Sequence, residues 1–416
     1  MSGLNLTTFD AALKTLYTDQ AVQNMVYKNN PLYALTPKFE QFLGRNLQIP
    51  LIYGNPQGRS HSFARAQVRG NLTSSNLKAF FLTRVADYSI ATIDNETLLA
   101  SKGDAGAFLE AATVEINGAI NSLTRSAAIA MYKSGYGEIG QIKAGSSVSG
   151  SSITLEVVQD VTNFEVGMEL DVFGTLTGAV KAYGTSGNGL IVTGVNRGTG
   201  VITFGYAVND ATNGIPTIAA GDYIAVRGDH SGSTLTKMAG LEAWLPATAP
   251  TSGDNFFGVD RSADVTRLAG QRQNSVGQPI EEALIDGAAL VAREGGALSH
   301  YLMGYEKYSE LEKALGSKVQ YIDMKVNPEV AFRGIMINGP KGPIKVVPDQ
   351  NCPANRVFGL QLDGWRLNSL GAAVRVLDTD GLQMLRQSSS DGVEIRWGYF
   401  SNISCNSPGF NINIQV

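Results

Sequence analysis

The sequence predicts an α+β fold of several compact units, with an all-β module inserted into the rest. Three observations predict it: a stretch of one-signed charge around a glycine-proline turn, a long run of apolar residues at helical spacing, and then a block of β-branched runs cut by glycine. At 416 residues the chain exceeds what one hydrophobic core organises, so two or three units are expected. An apolar fraction of 43% and a charged fraction of 17% belong to a folded protein, and 47 glycines imply many turns and much β-structure.

Residues 1–40 read as an extended arm. Leu4, Phe9, Leu13 and Tyr17 fall at near-helical spacing, and Asn29-Asn30-Pro31 and Thr36-Pro37 then interrupt any helix. Residues 41–78 read as an extended loop. From Gln41 to Ala86 there is no Asp or Glu, while Arg45, Arg59, Arg65, Arg69, Lys78 and Arg84 all occur. With a turn at Gly54-Asn55-Pro56-Gln57-Gly58, the simplest structure is a basic β-hairpin with a glycine-proline tip. A two-stranded ribbon is marginal in water unless it packs on something, so a neighbouring subunit is the expected partner.

From Ala79 to Thr92 the sequence alternates, with Phe80, Leu82, Ala86, Tyr88 and Ile90 on one face and Arg84 as the exception, as in a half-buried strand. Leu109, Ala112, Ile116, Ala119, Leu123, Ala127 and Ala130 then recur at steps of three or four, predicting a helix over 104–134 stopped by Gly135. About thirty residues at 1.5 Å rise make a rod of about 45 Å, suited to lying along a flat subunit. Residues 142–231 are expected to form a β-barrel-like insertion, with Gly194 to Phe204 as strand, tight turn and strand. Beyond a Pro, Ser and Gly-rich bridge near 246–253, helices are expected over 279–295 and 305–315, with an extended segment over 299–304. The tail from Gly334 reads as strands and turns, with a hairpin centred on 388–392.

Little in the sequence carries chemistry. With 33 basic and 37 acidic residues the net charge of -4 gives no global attraction to nucleic acid or anionic membranes. No apolar run is long enough to span a bilayer, and the first residues lack a signal peptide's basic start and apolar centre, so the chain is expected in the cytosol. Cys352 and Cys405 are far apart and read as reduced structural cysteines. His61, His230 and His300 are isolated, which excludes a histidine-rich metal site. No phosphate-cradling glycine loop and no nucleophile elbow is present, and no cofactor is expected. Asp378-Thr379-Asp380-Gly381 lacks the third carboxylate and closing Glu of a calcium loop and reads as a turn. The basic hairpin keeps three readings: a nucleic-acid hairpin, a solvated strand pair, or an arm that meets acidic patches on neighbours. Tyr53, Phe63, Phe80 and Phe81 interleave it too thinly to favour stacking on single strands.

In order, an arm, a basic hairpin, a strand, a long alanine-rich helix and a mixed α/β tail resemble the arm, extended loop, peripheral domain and axial domain of tailed-bacteriophage major capsid proteins of the Hong Kong 97-type fold. Local wording agrees: Lys237-Met238-Ala239-Gly240-Leu241-Glu242-Ala243-Trp244-Leu245 is similar to the segment that opens the axial domain, and Trp397-Gly398-Tyr399-Phe400 through Cys405-Asn406-Ser407-Pro408-Gly409 to the closing stretch. Lys345-Val346-Val347-Pro348-Asp349, Cys352-Pro353 and Asn355-Arg356-Val357 are similar to an axial strand and its turn. The resemblance leaves out 142–231.

The resemblance implies a division into arm 1–40, extended loop 41–78, peripheral domain 79–141 with its spine helix, inserted module 142–231, axial domain 232–373, peripheral hairpin 374–403 and a returning strand 404–416. It implies a structural, non-enzymatic function: self-assembly as hexamers and pentamers into an icosahedral head around the phage genome, built in the host cytoplasm and located in the virion. Implied partners are further copies of the chain, a portal, scaffolding and decoration proteins, and packaged double-stranded DNA held non-specifically, with no membrane. Arg59, Arg65 and Arg69 are expected to lie across an adjacent subunit, residues 1–40 to strap beneath another, and hinges to fall near Gly44 and Gly70. Some relatives weld subunits through a lysine, but no motif assigns that role to Lys78. Two rivals are an encapsulin-like cellular shell and a β-rich polysaccharide-binding or -degrading protein. The second would use Phe164, Phe173, Tyr183, Phe204, Tyr206 or Tyr223 as sugar platforms, positions that read equally as core.

Overall fold

In the computed structural model, residues 30–94, 105–316, 321–327, 330–378, 381, 385–386 and 392–416 are described. The first of these hold the chain to its own body. Pro31, its φ preset for a helical first turn, opens α1 (Pro31–Leu35), which buries Leu32 and Tyr33. Lys38–Phe39 then pairs in parallel with Trp365–Ser369. This corrects the expectation that all of 1–40 straps beneath a neighbour: Leu32 and Tyr33 lie in the chain's own core and Lys38–Phe39 pair with its own sheet, and residues 1–29 lie outside the described set.

The extended loop follows. Its arms, Asn46–Gly54 and Asn76–Thr83, pair antiparallel from Asn46↔Thr83 to Gly54↔Asn76. The expected tight tip is replaced by α2 (Phe63–Leu72), a helix of 10 residues between the arms. The reason lies in its sequence, PheAlaArgAlaGlnValArg, which is rich in good helix formers and holds no breaker before Gly70. Gly70 is therefore inside a helix and not at the loop's exit: a Cβ on Gly58 would stand 3.0 Å from its Cα, so Gly58 serves close approach, while a Cβ on Gly70 would meet nothing within 4 Å.

The strand expected over 79–92 is two strands that part at Arg84. Phe80 and Leu82 are buried on the loop's inner face, but Val85–Asp94 runs in the opposite phase, burying Val85 and Ala91 and exposing Tyr88 (57%) and Ile90 (53%). A one-residue change of phase at Arg84 exchanges the faces. Val85–Asp94 lies along one side of Gly392–Cys405, the 14-residue centre of a six-stranded sheet. Trp365–Ser369, Arg375–Val376 and Leu385–Arg386 pair along its other side. The hairpin turn expected at 388–392 lies outside the described residues except for Gly392.

The long helix is α3 (Ala105–Ala130), 26 residues and therefore ~39 Å. Ile116, Ile120, Leu123 and Ala127 carry its apolar stripe into the core shared with Trp397 and Tyr399. It ends before the expected Ser134 because carbonyls after its last turn are taken by another segment: Leu241, Glu242 and Gly240 donate their N–H groups to Met131, Tyr132 and Lys133. Gly135 and Gly137 then turn the chain at φ +91° and +88°.

The inserted module is a closed β-barrel. Its six strands run in the order Glu138–Gln141, Tyr223–Val226, Glu169–Phe173, Leu190–Asn196, Val201–Phe204 and Ser152–Thr154. The bridge Ile142↔Leu155, flanked by Lys143 donating to Thr154 and Glu156 to Gln141, joins the two ends. Closure leaves no free edge. Ile153, Leu170, Val172, Leu190, Val192, Ile202, Phe204 and Ile224 fill the interior with Phe164.

The remaining chain folds on a seven-stranded mixed sheet, ordered Gln271–Asn274, Ile412–Gln415, Arg356–Leu360, His300–Met303, Gly342–Pro348, Val330–Gly339 and Tyr321–Asn327. After the short α4 (Leu241–Trp244), helices α5 (Ile280–Arg293) and α6 (Tyr305–Leu315) cover one face through Leu284, Val291 and Leu311 against Tyr301, Val346 and Ile414. The opposite face sends Leu302, Val347, Phe358 and Leu360 into the core that also holds α3 and the loop's root. Trp244 sits at that meeting point, edge-on to Phe80 (5.1 Å) and Trp365 (6.5 Å), its indole donating to the Ile403 carbonyl at 3.1 Å.

Candidate assembly interface

The extended loop is built in two halves with different surroundings. Along its arms, Leu47, Ile49, Leu51 and Tyr53 alternate inward and pack on the chain's own core beside Phe80 and Leu82. Backbone and cation contacts fix the root: Phe81 donates to the Phe257 carbonyl at 2.9 Å, and Arg267 to the Tyr53 carbonyl at 2.7 Å. Arg84 bonds the Phe42 carbonyl and lies 5.0 Å over that ring. Phe257 holds φ +47°, a conformation that costs a side-chain-bearing residue about 1–3 kcal/mol and is here kept by the aromatic packing of Phe256 and Trp244 around it. The arms thus have a partner within their own chain, which corrects the expectation of a hairpin supported only by a neighbour.

The tip is different. No residue of α2 is buried. Phe63 (83%), Val68 (59%) and Leu72 (79%) stand in solvent, joined on the arms' outer face by Ile52, Leu77 and Phe81. Arg59, Arg65 and Arg69 are all exposed, and none has a carboxylate partner among the described residues. Arg65 and Arg69 share a helix face with Val68 and Leu72, since positions i, i+3, i+4 and i+7 fall together at 3.6 residues per turn. Arg59 precedes the helix, so the three expected contact residues lie together at one end of the loop but only two share a face. Lys78 belongs to the inner face with Phe80, cross-strand from Leu51. The tip holds its own shape: Gln57 donates to Thr73 Oγ1 at 3.1 Å, and Thr73 to the Arg69 carbonyl at 2.9 Å. The sequence signal for this face was the Arg-Val-Arg-Leu spacing, legible only once a helix is admitted there.

The base from which the loop projects is braced by buried polar groups that sequence reading did not single out. Asp349, fully buried, accepts from Tyr132 Oη (2.6 Å), the Leu32 N–H (3.3 Å) and the Asn351 N–H (2.9 Å), tying α1 and the end of α3 to the seven-stranded sheet. Burial pushes its carboxyl above the usual range, partly offset by those donors. Lys237 reaches Asp87 at 2.8 Å and Asp229 at 2.9 Å, where the barrel's exit strand meets Val85–Asp94. Burial raises the Asp229 carboxyl and Lys237 opposes the rise. A cleft of about 630 Å³ opens beside this pair, between α3 and the barrel. Of its charged lining, Arg125 is paired with Glu165 and Arg227 with Glu169.

Other candidate chemistry dissolves into structure. Cys352 and Cys405 are buried free thiols. His230 stacks on Phe173 at 3.7 Å with both ring nitrogens on backbone carbonyls. Among the described residues no group of three His, Cys, Asp or Glu side chains is placed to hold a metal ion. Phe164 and Phe204 lie inside the barrel and Phe173 is buried, while Tyr183, Tyr206 and Tyr223 are half-buried, so the described barrel residues offer no exposed aromatic platform for a sugar. No described helix is long and apolar enough to cross a membrane.

Residues 220–387, from the barrel's last strand through most of the seven-stranded sheet, match the family model described as SU10 major capsid protein. The resemblance to tailed-phage major capsid proteins stands. The match covers part of the chain and agrees with a structural role in a capsid, and the described elements form the mixed helix-and-sheet fold that the sequence predicts. Solved structures similar over most of their length include the cyanophage A-1(L) capsid asymmetric unit (12% identity, 92% of each chain, TM-score 0.48) and Mycobacterium phage Ogopogo (7% identity, 93% of this chain and 92% of that one, TM-score 0.43). The holo-SrpI encapsulin complex from Synechococcus elongatus PCC 7942 is also similar (7% identity, 98% and 94%, TM-score 0.37). No curated protein sequence matches the chain.

Proposed function

We propose that the chain assembles as hexamers and pentamers into an icosahedral head that encloses a double-stranded DNA genome. The observation that carries this reading is the loop tip: a preformed helix of 10 residues, basic and apolar at once, with no contact that buries it in its own subunit. A solvated surface gains nothing from Phe63, Val68 and Leu72 in water, whereas each would contribute about 1.5–3 kcal/mol if covered by a neighbour. Arg59, Arg65 and Arg69 would then meet carboxylates of the adjacent subunit. Modest contacts repeated around closed rings sum to a stable shell. In this reading the unit of α3 and the six-stranded sheet is the peripheral domain, the seven-stranded unit the axial domain, and the barrel a projection between them. Catalysis has no place in it, and portal, scaffolding and decoration proteins would be further partners.

The test is electron microscopy of the purified full chain at high concentration, beside its sedimentation profile. Closed particles, or rings of five and six, are expected. A chain that stays monomeric across salt concentrations, with DNA present or absent, would overturn the proposal.

A further inference from the structure

The exposed face of α2 has a counterpart elsewhere in the same chain. On α5, Glu282, Ile285, Asp286 and Ala289 occupy positions i, i+3, i+4 and i+7, and all four are exposed, Ile285 at 50%. On α2 the same four places hold Arg65, Val68, Arg69 and Leu72. One stripe reads cation, apolar, cation, apolar; the other reads anion, apolar, anion, apolar. No ion pair involving Glu282 or Asp286 occurs among the described residues, although other surface carboxylates such as Glu165, Glu169 and Glu310 are paired. Val276, 69% exposed just ahead of α5, extends the apolar part of the stripe.

Both stripes stand exposed in the subunit, so neither covers the other within it, and a second copy can offer each its counterpart. A contact between two different patches, one on each copy, is head-to-tail, and head-to-tail contacts close into rings when the rotation permits. Run parallel, the helices set Val68 against Ile285, Arg65 against Glu282 and Arg69 against Asp286; run antiparallel, Arg65 faces Asp286 and Arg69 faces Glu282, with Val68 within one turn of Ile285. The antiparallel course also brings Leu72 toward Val276.

We propose that the loop tip docks on α5 of a second copy of this chain, with Arg65 and Arg69 against the partner's Glu282 and Asp286 stripe and Val68 against its Ile285. This rests on the reading of the chain as a self-assembling shell subunit and specifies where one of its contacts falls.

Three full-length variants test it: Arg65→Glu with Arg69→Glu, Glu282→Lys with Asp286→Lys, and all four changes together. The positions are exposed in the subunit, so circular dichroism and melting should match the parent. Each double variant alone should raise the concentration needed for assembly by about tenfold or more, the effect of ~1.4 kcal/mol per contact. The fourfold swap should restore closed particles. If the parent assembles and the arginine variant fails, but the acidic variant assembles normally or the swap gives no rescue, the tip docks elsewhere and this inference falls while the shell reading survives. If the arginine variant assembles as the parent does, both the docking and the role given to the tip fall. A parent that never assembles removes the shell reading itself.

Discussion

Single residues at the junction of the units show how charge has been used to set them together. Lys133, at the end of α3, lies 3.3 Å from Asp160 of the barrel and also feels Glu242 and Glu138. Glu242 belongs to α4, and burial raises its carboxyl above the ordinary 4.5, with Lys133 opposing and Glu138 adding to the rise. A carboxyl raised in the fold favours folding fully below its unfolded value, and that contribution is lost as pH rises through the folded value. Glu242→Gln keeps the neutral form at every pH. The variant should therefore melt above the parent at pH 8, with the gap closing as pH falls toward 4.5; a gap independent of pH would show that Glu242 is not held under this strain. Gly137 sits at the same junction for a steric reason: a Cβ there would stand 2.1 Å from the Asp229 carbonyl oxygen, and φ is +88°. None of this is legible in the sequence, because Lys133, Asp160 and Glu242 are brought together only by folding.

Elements were legible where one periodicity governed a whole segment. The stripe from Ile116 to Ala127 fixes α3, and Tyr305 to Leu315 folds as the helix its pattern predicts. The glycine-cut runs between Ser152 and Val226 form strands because alternation and turn residues agree along them. Reading failed where a tertiary contact overrode the local pattern. Alternation from Phe80 to Ile90 looks continuous, yet Arg84 turns back onto Phe42 and the following strand joins another sheet in the other phase. At the tip, glycine and proline near Pro56 suggested a tight turn, but the chain spends 63–72 on a helix before returning. That helix is dispensable to the subunit by its burial. Replacing residues 55–75 with a two-residue Asn-Gly turn joins arms already paired at Gly54↔Asn76. The shortened chain should melt within about 2–4 °C of the parent, as expected for a change near 1 kcal/mol. It should also fail to form closed particles in sedimentation, and particles of normal yield would remove the tip from assembly.

At the scale of the whole molecule, the net charge of -4 and the basic tip oppose one another. In the proposed shell copies would repel weakly as bodies, while the stretch from Gln41 to Ala86, which has no acidic residue, would attract the acidic surface of a neighbour at short range. Salt screens both, over a Debye length of about 10 Å at 0.1 M and about 3 Å at 1 M. The attraction acts between groups that approach to contact on exposed helices, so its loss should dominate the first encounter. Apolar contacts through Val68, Leu72 and Phe81 do not weaken with salt, and once a ring has closed each subunit is held at several places at once. Assembly and disassembly should therefore respond differently. Raising sodium chloride from about 0.05 to 1 M should slow particle formation from free subunits, followed by light scattering at matched concentration, while finished particles moved into the same high salt should persist in sedimentation. Formation that speeds up with salt would mean that body repulsion is the larger effect and the arginines of the tip are not the steering groups. Finished particles that dissolve at 1 M salt would mean that the apolar face of the tip stays wet in the shell.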